Sequence, residues 1–261
     1  MIIGKSRKEL EKMRAAGRLI AQVREELRRR VAPGVTTLEL DAAAERMIRD
    51  AGALPTFKGY HGFPYSICAS VNEQVVHGFP SAYVLREGDI FSLDCGATLE
   101  GFVGDTATTI PVGRVSEDRL QLIRVAEECL ERAIAECRPG RNLGDLGWAV
   151  QSHAEAHGYG VVRDYVGHGI GRKMHEDPQI PNYGKPGKGA AIRAGYVFAI
   201  EPMINLGTHQ TKVLKDGWTV VTLDGRASAH VEHTVAVTEE GPEILTQVSE
   251  GVPATSAASG A

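Results

Sequence analysis

Small and apolar residues recur at helical spacing through Leu10, Met13, Gly17, Ile20, Leu27 and Val31, with polar residues between them. Ser6 followed by Glu9 has capping-box spacing and Pro33-Gly34 stops the run, so one long helix is predicted between them. A second helix opens at Thr36 or Thr37, carries Leu40, Ala43, Ala44, Met47 and Ile48, and ends at Gly52. The period then shortens. Ser66 to Val71, Gly88 to Leu93 and Asp105 to Val112 are rich in apolar and β-branched residues and predict strands. From Ser116 the helical period returns with Leu120, Ile123, Ala126, Leu130 and Ile134, as far as Pro139-Gly140. A shorter helix from Asn142, with Leu146, Ala149 and Val150, ends at Gly158.

This order is a repeat. Pro33-Gly34 and Pro139-Gly140 are 106 residues apart, as are Leu40 and Leu146, Ala43 and Ala149, and Gly52 and Gly158. At an offset of 107, Gly88-Asp-Ile-Phe-Ser-Leu-Asp94 aligns with Gly195-Tyr-Val-Phe-Ala-Ile-Glu201. Both read Gly, β-branched, Phe, small, apolar, acid. The pattern predicts an α+β fold in one domain over residues 1–250, built from two helix-helix-strand halves at about 6–112 and 116–243. The Ala- and Ser-rich tail, 251–261, is expected to be disordered.

The repeat changes the meaning of a pair of acids. Asp94 ends one strand-like run, Asp105 begins the next, and Glu100-Gly101 between them supplies turn chemistry. A hairpin closing on Leu99-Glu100 pairs Ala97 with Phe102 and sets Asp94 opposite Asp105, with Cβ atoms about 5 Å apart. Such carboxylates repel unless one is protonated or a cation lies between them. On its own the pair reads as a charged, solvated hairpin. The duplication, however, makes Glu201 the counterpart of Asp94. The partner acid of the second half is then Glu232, in the alternating run His230-Val-Glu-His-Thr-Val-Ala-Val237. If the halves pack about a pseudo-twofold axis, four carboxylates meet at the centre. Four buried acids cannot all stay ionised without cationic compensation, which favours bound metal.

Composition narrows the class. A chain of 261 residues, 43% hydrophobic and 24% charged, is ordinary for a globular protein and long enough for a full core. The net charge of −4 argues against a dedicated nucleic-acid binder. Lys5, Arg7, Lys8 and Arg28 to Arg30 are interspersed with acids and read as a solvated helix face. Cys68, Cys95, Cys129 and Cys137 form no C-x-x-C pair, and no signal peptide or membrane-length apolar run is present, so a reduced cytoplasmic location is expected.

Among the histidines, His168 lies in Gly167-His-Gly-Ile-Gly171, where no phosphate-loop spacing fits and a turn presenting one imidazole does. Added to the four carboxylates it suits two hard or borderline divalent ions rather than a structural zinc. His153 and His157 have the i, i+4 spacing of a metal pair, but the acid is not where H-E-x-x-H requires it, and a solvated helix face is expected. His61 and His77 sit in Gly/Pro-rich turns and read, alone, as structural.

Taken together, these motifs resemble the type I methionine aminopeptidases, a branch of the pita-bread metallopeptidases that also include prolidase, aminopeptidase P and creatinase. The resemblance runs from about Ser6 to Glu243. It is carried by Val75-Val-His-Gly78, Leu93-Asp94, Gly104-Asp-Thr106, Gly167-His-Gly-Ile-Gly-Arg172, His175-Glu176, Glu201-Pro-Met203, Lys215-Asp-Gly-Trp-Thr219 and Glu232-His-Thr234. It implies a pita-bread fold, two pseudo-symmetric halves around a central antiparallel sheet. It also implies a dinuclear site on Asp94, Asp105, His168, Glu201 and Glu232, the set reached from the duplication, holding two ions of Co, Mn, Fe(II) or Zn.

The implied reaction is removal of the N-terminal methionine from nascent proteins and peptides with a small second residue, by a hydroxide bridging the ions. Glu201 would move protons, His175 would bond the carbonyl oxygen, and His77 would bind the amide nitrogen being released. The methionine side chain would lie among Tyr60, Phe63, Cys68 and Trp218. Two positions depart from the family pattern: Phe57 stands where many relatives carry a small residue, and Met174 where Phe is common. A proline-directed relative would carry an additional N-terminal domain, and a non-catalytic binding relative would lack ligands. The expected partners are N-terminal Met peptides and nascent chains, with a transient ribosome contact through the basic N-terminal helix, in a monomer that binds neither membrane nor nucleic acid.

Overall fold

The computed structural model describes residues 2–248, so the tail expectation at 251–261 lies outside the described residues. The helices fall where the periodicity puts them: α1 (Arg7–Arg30), α2 (Thr37–Asp50), α3 (Glu117–Glu136) and α4 (Leu143–Ala156). Ser6 and Glu9 close the capping box of α1: the Ser6 N–H donates to Glu9 Oε2 at 2.9 Å, and the Glu9 N–H to Ser6 Oγ at 3.4 Å.

The strands that carry the site are β1 (Ile67–Val71), β2 (Ile90–Leu99), β3 (Phe102–Pro111), β4 (Gly167–Gly169), β5 (Glu176–Ile180), β6 (Val197–Ile200) and β7 (Glu232–Val237). They belong to one nine-stranded antiparallel sheet in which β2, β3, β7, β6, β4 and β5 follow one another, with β1 on β2. The halves therefore meet at the pairing of β3 with β7, where Glu232 lies opposite Ala107 and His233 opposite Thr106. Each half keeps its own core. Ile20, Leu27, Leu40, Ile48, Phe91 and Leu93 pack together in the first half. Leu122, Leu146, Val150, Phe198, Ile200 and Val235 do so in the second. The duplicated order of elements thus appears as two helix pairs lying on one continuous sheet.

The β2–β3 hairpin differs from the expected register. Its two-residue turn is Glu100-Gly101, both with positive φ (48° and 78°), so Leu99 pairs with Phe102 and Asp94 with Ala107, not with Asp105. A type I′ turn needs positive φ at both central positions, and glycine meets that at the second without steric cost. The register therefore moves by two residues. Because side-chain facing repeats every two residues, Asp94 and Asp105 still project from the same face, now diagonally. Strand ends differ too. β2 continues past Asp94 to Leu99, whereas Glu201 does follow its strand directly. The segment between Glu201 and Glu232 contains four short strands, Met203–Asn205, Thr211–Val213, Val220–Thr222 and Ser228–His230. None of the described helices is long and apolar enough to cross a membrane.

Candidate metal centre and its pocket

Four carboxylates and one imidazole converge at the centre of the sheet. Asp105 (2% exposed) comes from β3, Glu232 (2%) from β7, Asp94 (9%) from β2, and His168 (7%) from the middle of β4. Asp105, His168 and Glu232 place ligand atoms within 4.8 Å of one another. Glu201 completes the group, with Oε1 3.5 Å from His168 Nε2. The backbone between Asp105 and Glu232 is tied across the junction of the halves. Thr234 Oγ1 accepts the Asp105 N–H at 3.0 Å and donates to the Asp105 carbonyl at 2.8 Å, and Thr106 Oγ1 donates to the Glu232 carbonyl at 2.9 Å. His168 donates Nδ1–H to the Gly169 carbonyl at 2.9 Å, which leaves the Nε2 lone pair facing the acids.

Burial and mutual repulsion both act on these acids. Burial pushes Asp94 well above the usual carboxylate range, reinforced by the charge of Asp105 and opposed by a hydrogen bond from the Cys68 thiol. Asp105 is pushed up to about 7 by burial, opposed by the Thr106 backbone N–H. Glu201 and Glu232 are raised by burial first and by the neighbouring acids second. His168 is held down to about 3 by burial and by nearby His175, so it is neutral and able to coordinate. Asp94 Oδ1, Asp105 Oδ1 and Glu232 Oε1 are buried and have no hydrogen-bond partner. Orphaned carboxylate oxygens facing an imidazole lone pair are the arrangement a divalent cation fits, and the oxygen-rich donor set suits hard or borderline ions.

An apolar pocket of about 420 Å³ opens beside this cluster, lined by Phe57, Tyr60, His61, Phe63, Cys68, His77, Asp94, Met174, His175 and Trp218. The four residues expected to hold a side chain are all in its wall, and Phe63 meets the edge of Trp218 at 5.1 Å between ring centroids. Tyr60 Oη lies 2.7 Å from His175 Nδ1, and the His175 ring is 4.2 Å from that of His168. His77 also lines the pocket, with φ 58° and its ring edge-on to Tyr165 and Trp218. Burial and the nearby His175 hold His77 down to about 4. Phe57 is 3% exposed and stacks where Gly96 leaves room: a Cβ at position 96 would lie 2.7 Å from Phe57 Cε1. This glycine accommodates the bulky residue at position 57.

Some residues at the site carry no role in the sequence reading. His61, read there as a turn residue, lines the pocket with φ 47° and its ring 4.3 Å from that of Tyr60. His230 is 2% exposed, its Nε2 is 3.7 Å from Glu201 Oε2, and that nitrogen has no hydrogen-bond partner. Burial, with His77 nearby, lowers it to about 3. Its place two residues before Glu232, on the same alternation, is the signal that points to it. Asn182 donates Nδ2–H to the Glu201 carbonyl at 3.0 Å, and nothing in its local sequence announces it.

A curled antiparallel sheet with helix pairs and a central cluster of four acids and a histidine defines a metal-dependent hydrolase of the pita-bread type. The model of metallopeptidase family M24 matches residues 11–239, and the chain belongs to that family. Its relatives include methionine aminopeptidase 1 of Bacillus subtilis, 52% identical over 248 residues, 95% of this chain and 100% of that one. A methionine aminopeptidase of Clostridium perfringens matches at 52% with the same coverage. Among solved structures, methionine aminopeptidase from Thermotoga maritima superposes with TM-score 0.93 at 47% identity, over 95% of this chain and 100% of that one. Prolidase from Pyrococcus horikoshii shares the fold alone, with TM-score 0.77 at 21% identity over 96% of this chain and 65% of that one.

Proposed function

We propose that this protein is a methionine aminopeptidase. It removes the N-terminal methionine from peptides and nascent chains with a small second residue, using two divalent ions held by Asp94, Asp105, His168, Glu201 and Glu232. The observation that carries the reading is the adjacency of those ligands to an apolar, aromatic-lined pocket, with Asp94 lining the pocket and interacting with Asp105. When bound, the ions supply Lewis-acid polarisation of the peptide carbonyl and a nucleophilic water at neutral pH. The remaining work falls to the chain's own groups.

Tyr60, Phe63, Cys68 and Trp218 bind the methionine side chain and exclude water from it. His175, oriented by Tyr60, hydrogen-bonds the carbonyl oxygen as negative charge develops there. His77 binds the amide nitrogen of the departing residue. It lines the same pocket as His175 and is neutral at working pH, so it can both donate and accept. Glu201 carries the proton between water and the leaving amine: its burial among acids raises its proton affinity, and His230 flanks its second oxygen. A substrate made at the ribosome is one a cytoplasmic enzyme meets, and all five proposed ligands come from a single chain, so a monomer suffices for the site. The basic residues offered for a ribosome contact are largely paired already, Lys5 with Glu176 at 2.6 Å and Arg28 to Arg30 with Glu25 or Glu26.

Metal-stripped protein given Mn(II) or Co(II) and a Met-Ala-Ser peptide, a Met-Lys-Ser peptide and an Xaa-Pro dipeptide tests the proposal. Methionine released from the first, far less from the second, and only with metal is the expected result. Cleavage of the Xaa-Pro substrate alone would replace the proposal with a proline-directed activity.

A further inference from the structure

On the far side of the second half, α4 presents His153 and His157 one turn apart, and α3 brings Glu128 against them. Glu128 and His157 are exposed on this face, as its sequence suggests, and His153 is largely covered. The His153 side chain is 13% exposed, with Nε2 2.5 Å from Glu128 Oε2. The neighbouring helix thus supplies the acid missing from the helix's own H-x-x-x-H run. One ligand atom from each of Glu128, His153 and His157 lies within 4.8 Å of the others, an arrangement shared among the described residues only with the central cluster.

A second observation concerns the imidazoles themselves. His157 donates Nδ1–H to the His153 carbonyl at 2.9 Å. That bond fixes the tautomer and leaves the Nε2 lone pair free, as a ligating histidine requires. The His157 ring also lies nearly parallel to that of Tyr159, at 19° and 6.4 Å between centroids, and 4.6 Å from the His153 ring. Its orientation is held before any ion arrives. Two imidazoles and one carboxylate, with the remaining position open to water, form a three-ligand set for a borderline divalent ion. Imidazole donors favour Zn(II), Ni(II) or Cu(II) over Mn(II), the reverse of what the oxygen-rich central site accommodates best.

We infer that Glu128, His153 and His157 form a third divalent-metal site, selective for Zn(II)-like ions, that ties α3 to α4. Binding replaces the hydrogen bond between His153 and Glu128: the proton on Nε2 is given up to solvent, the ring stays neutral with its one N–H on Nδ1, and Nε2 and the carboxylate coordinate the ion. The ion then cross-links the helix pair that closes the core of the second half. It takes no part in peptide hydrolysis.

Equilibrium dialysis of the full-length protein against Zn(II), with bound metal counted by elemental analysis, tests this. His157→Gln should bind one equivalent fewer than wild type at saturation, and Glu128→Gln should weaken the same equivalent by about tenfold or more. Hydrolysis by the Mn(II)-loaded enzyme should be unchanged by either substitution. Hydrogen exchange read on α3 and α4 should slow with Zn(II) in wild type and not in His157→Gln. Both substituted side chains are exposed, so loss of folding does not confuse the result. Equal zinc content in wild type and His157→Gln, or exchange on α3 and α4 that ignores zinc in wild type, would overturn the inference.

Discussion

Replacing Asp105 with Asn should change how the metal-free protein responds to pH. The carboxyl of Asp105 titrates at about 7 in the folded protein against an ordinary value of 3.8, because burial disfavours its charge. The folded state therefore keeps this proton to higher pH than the unfolded chain does. The resulting stability is fully present below the ordinary carboxylate range and is lost as pH rises through about 7. A difference of about three pKa units corresponds to about 4 kcal/mol, of which roughly 2–3 kcal/mol is lost between pH 5 and pH 8. Asn has the same shape and no charge. It also relieves Asp94, whose proton affinity the charge of Asp105 raises. Urea unfolding of chelator-treated protein at those two pH values should show wild type losing about 2–3 kcal/mol more than Asp105→Asn. Added Mn(II) should restore wild type at the higher pH and leave the variant unmoved. Equal pH dependence in the two proteins would refute the reasoning, because it would mean that Asp105 is not held among uncompensated acids.

Other substitutions separate the roles. His77→Ala should lower kcat by about a hundredfold for Met-Ala-Ser while elemental analysis finds the central metals retained, whereas Glu232→Ala should lose them. Phe57→Ala removes a buried ring from the pocket wall. It should cost about 3 kcal/mol in unfolding experiments and raise KM for methionyl peptides, with side chains longer than methionine gaining relative activity. Gly96→Ala should cost about 1–3 kcal/mol, because its Cβ meets the Phe57 ring, and a double-mutant cycle should show that cost largely removed in the Phe57→Ala background.

The helices were legible because each carries an apolar stripe at helical period between recognisable caps, as Ser6 with Glu9 and Pro33-Gly34 do for α1. The convergence of Asp94, Asp105, Glu201 and Glu232 was legible for a different reason. A duplicated order of elements gives each acid a counterpart, and a pseudo-twofold packing brings counterparts together. Register was less legible. The choice between turns at 99–100 and 100–101 rests on φ at Glu100, which composition does not reveal, yet the two-residue error left every side chain on its proper face. Contacts made across the fold were not legible at all. His230 beside Glu201, Phe57 over Gly96, and Glu128 against His153 join residues whose local sequences carry no sign of one another.

Anomalous diffraction from crystals grown with Mn(II) tests the central claim most directly. Two manganese peaks inside the cluster of Asp94, Asp105, His168, Glu201 and Glu232 are predicted, beside the aromatic pocket. No manganese among those residues, in crystals of protein that is active with Mn(II), would contradict the assignment of the site and the function built on it.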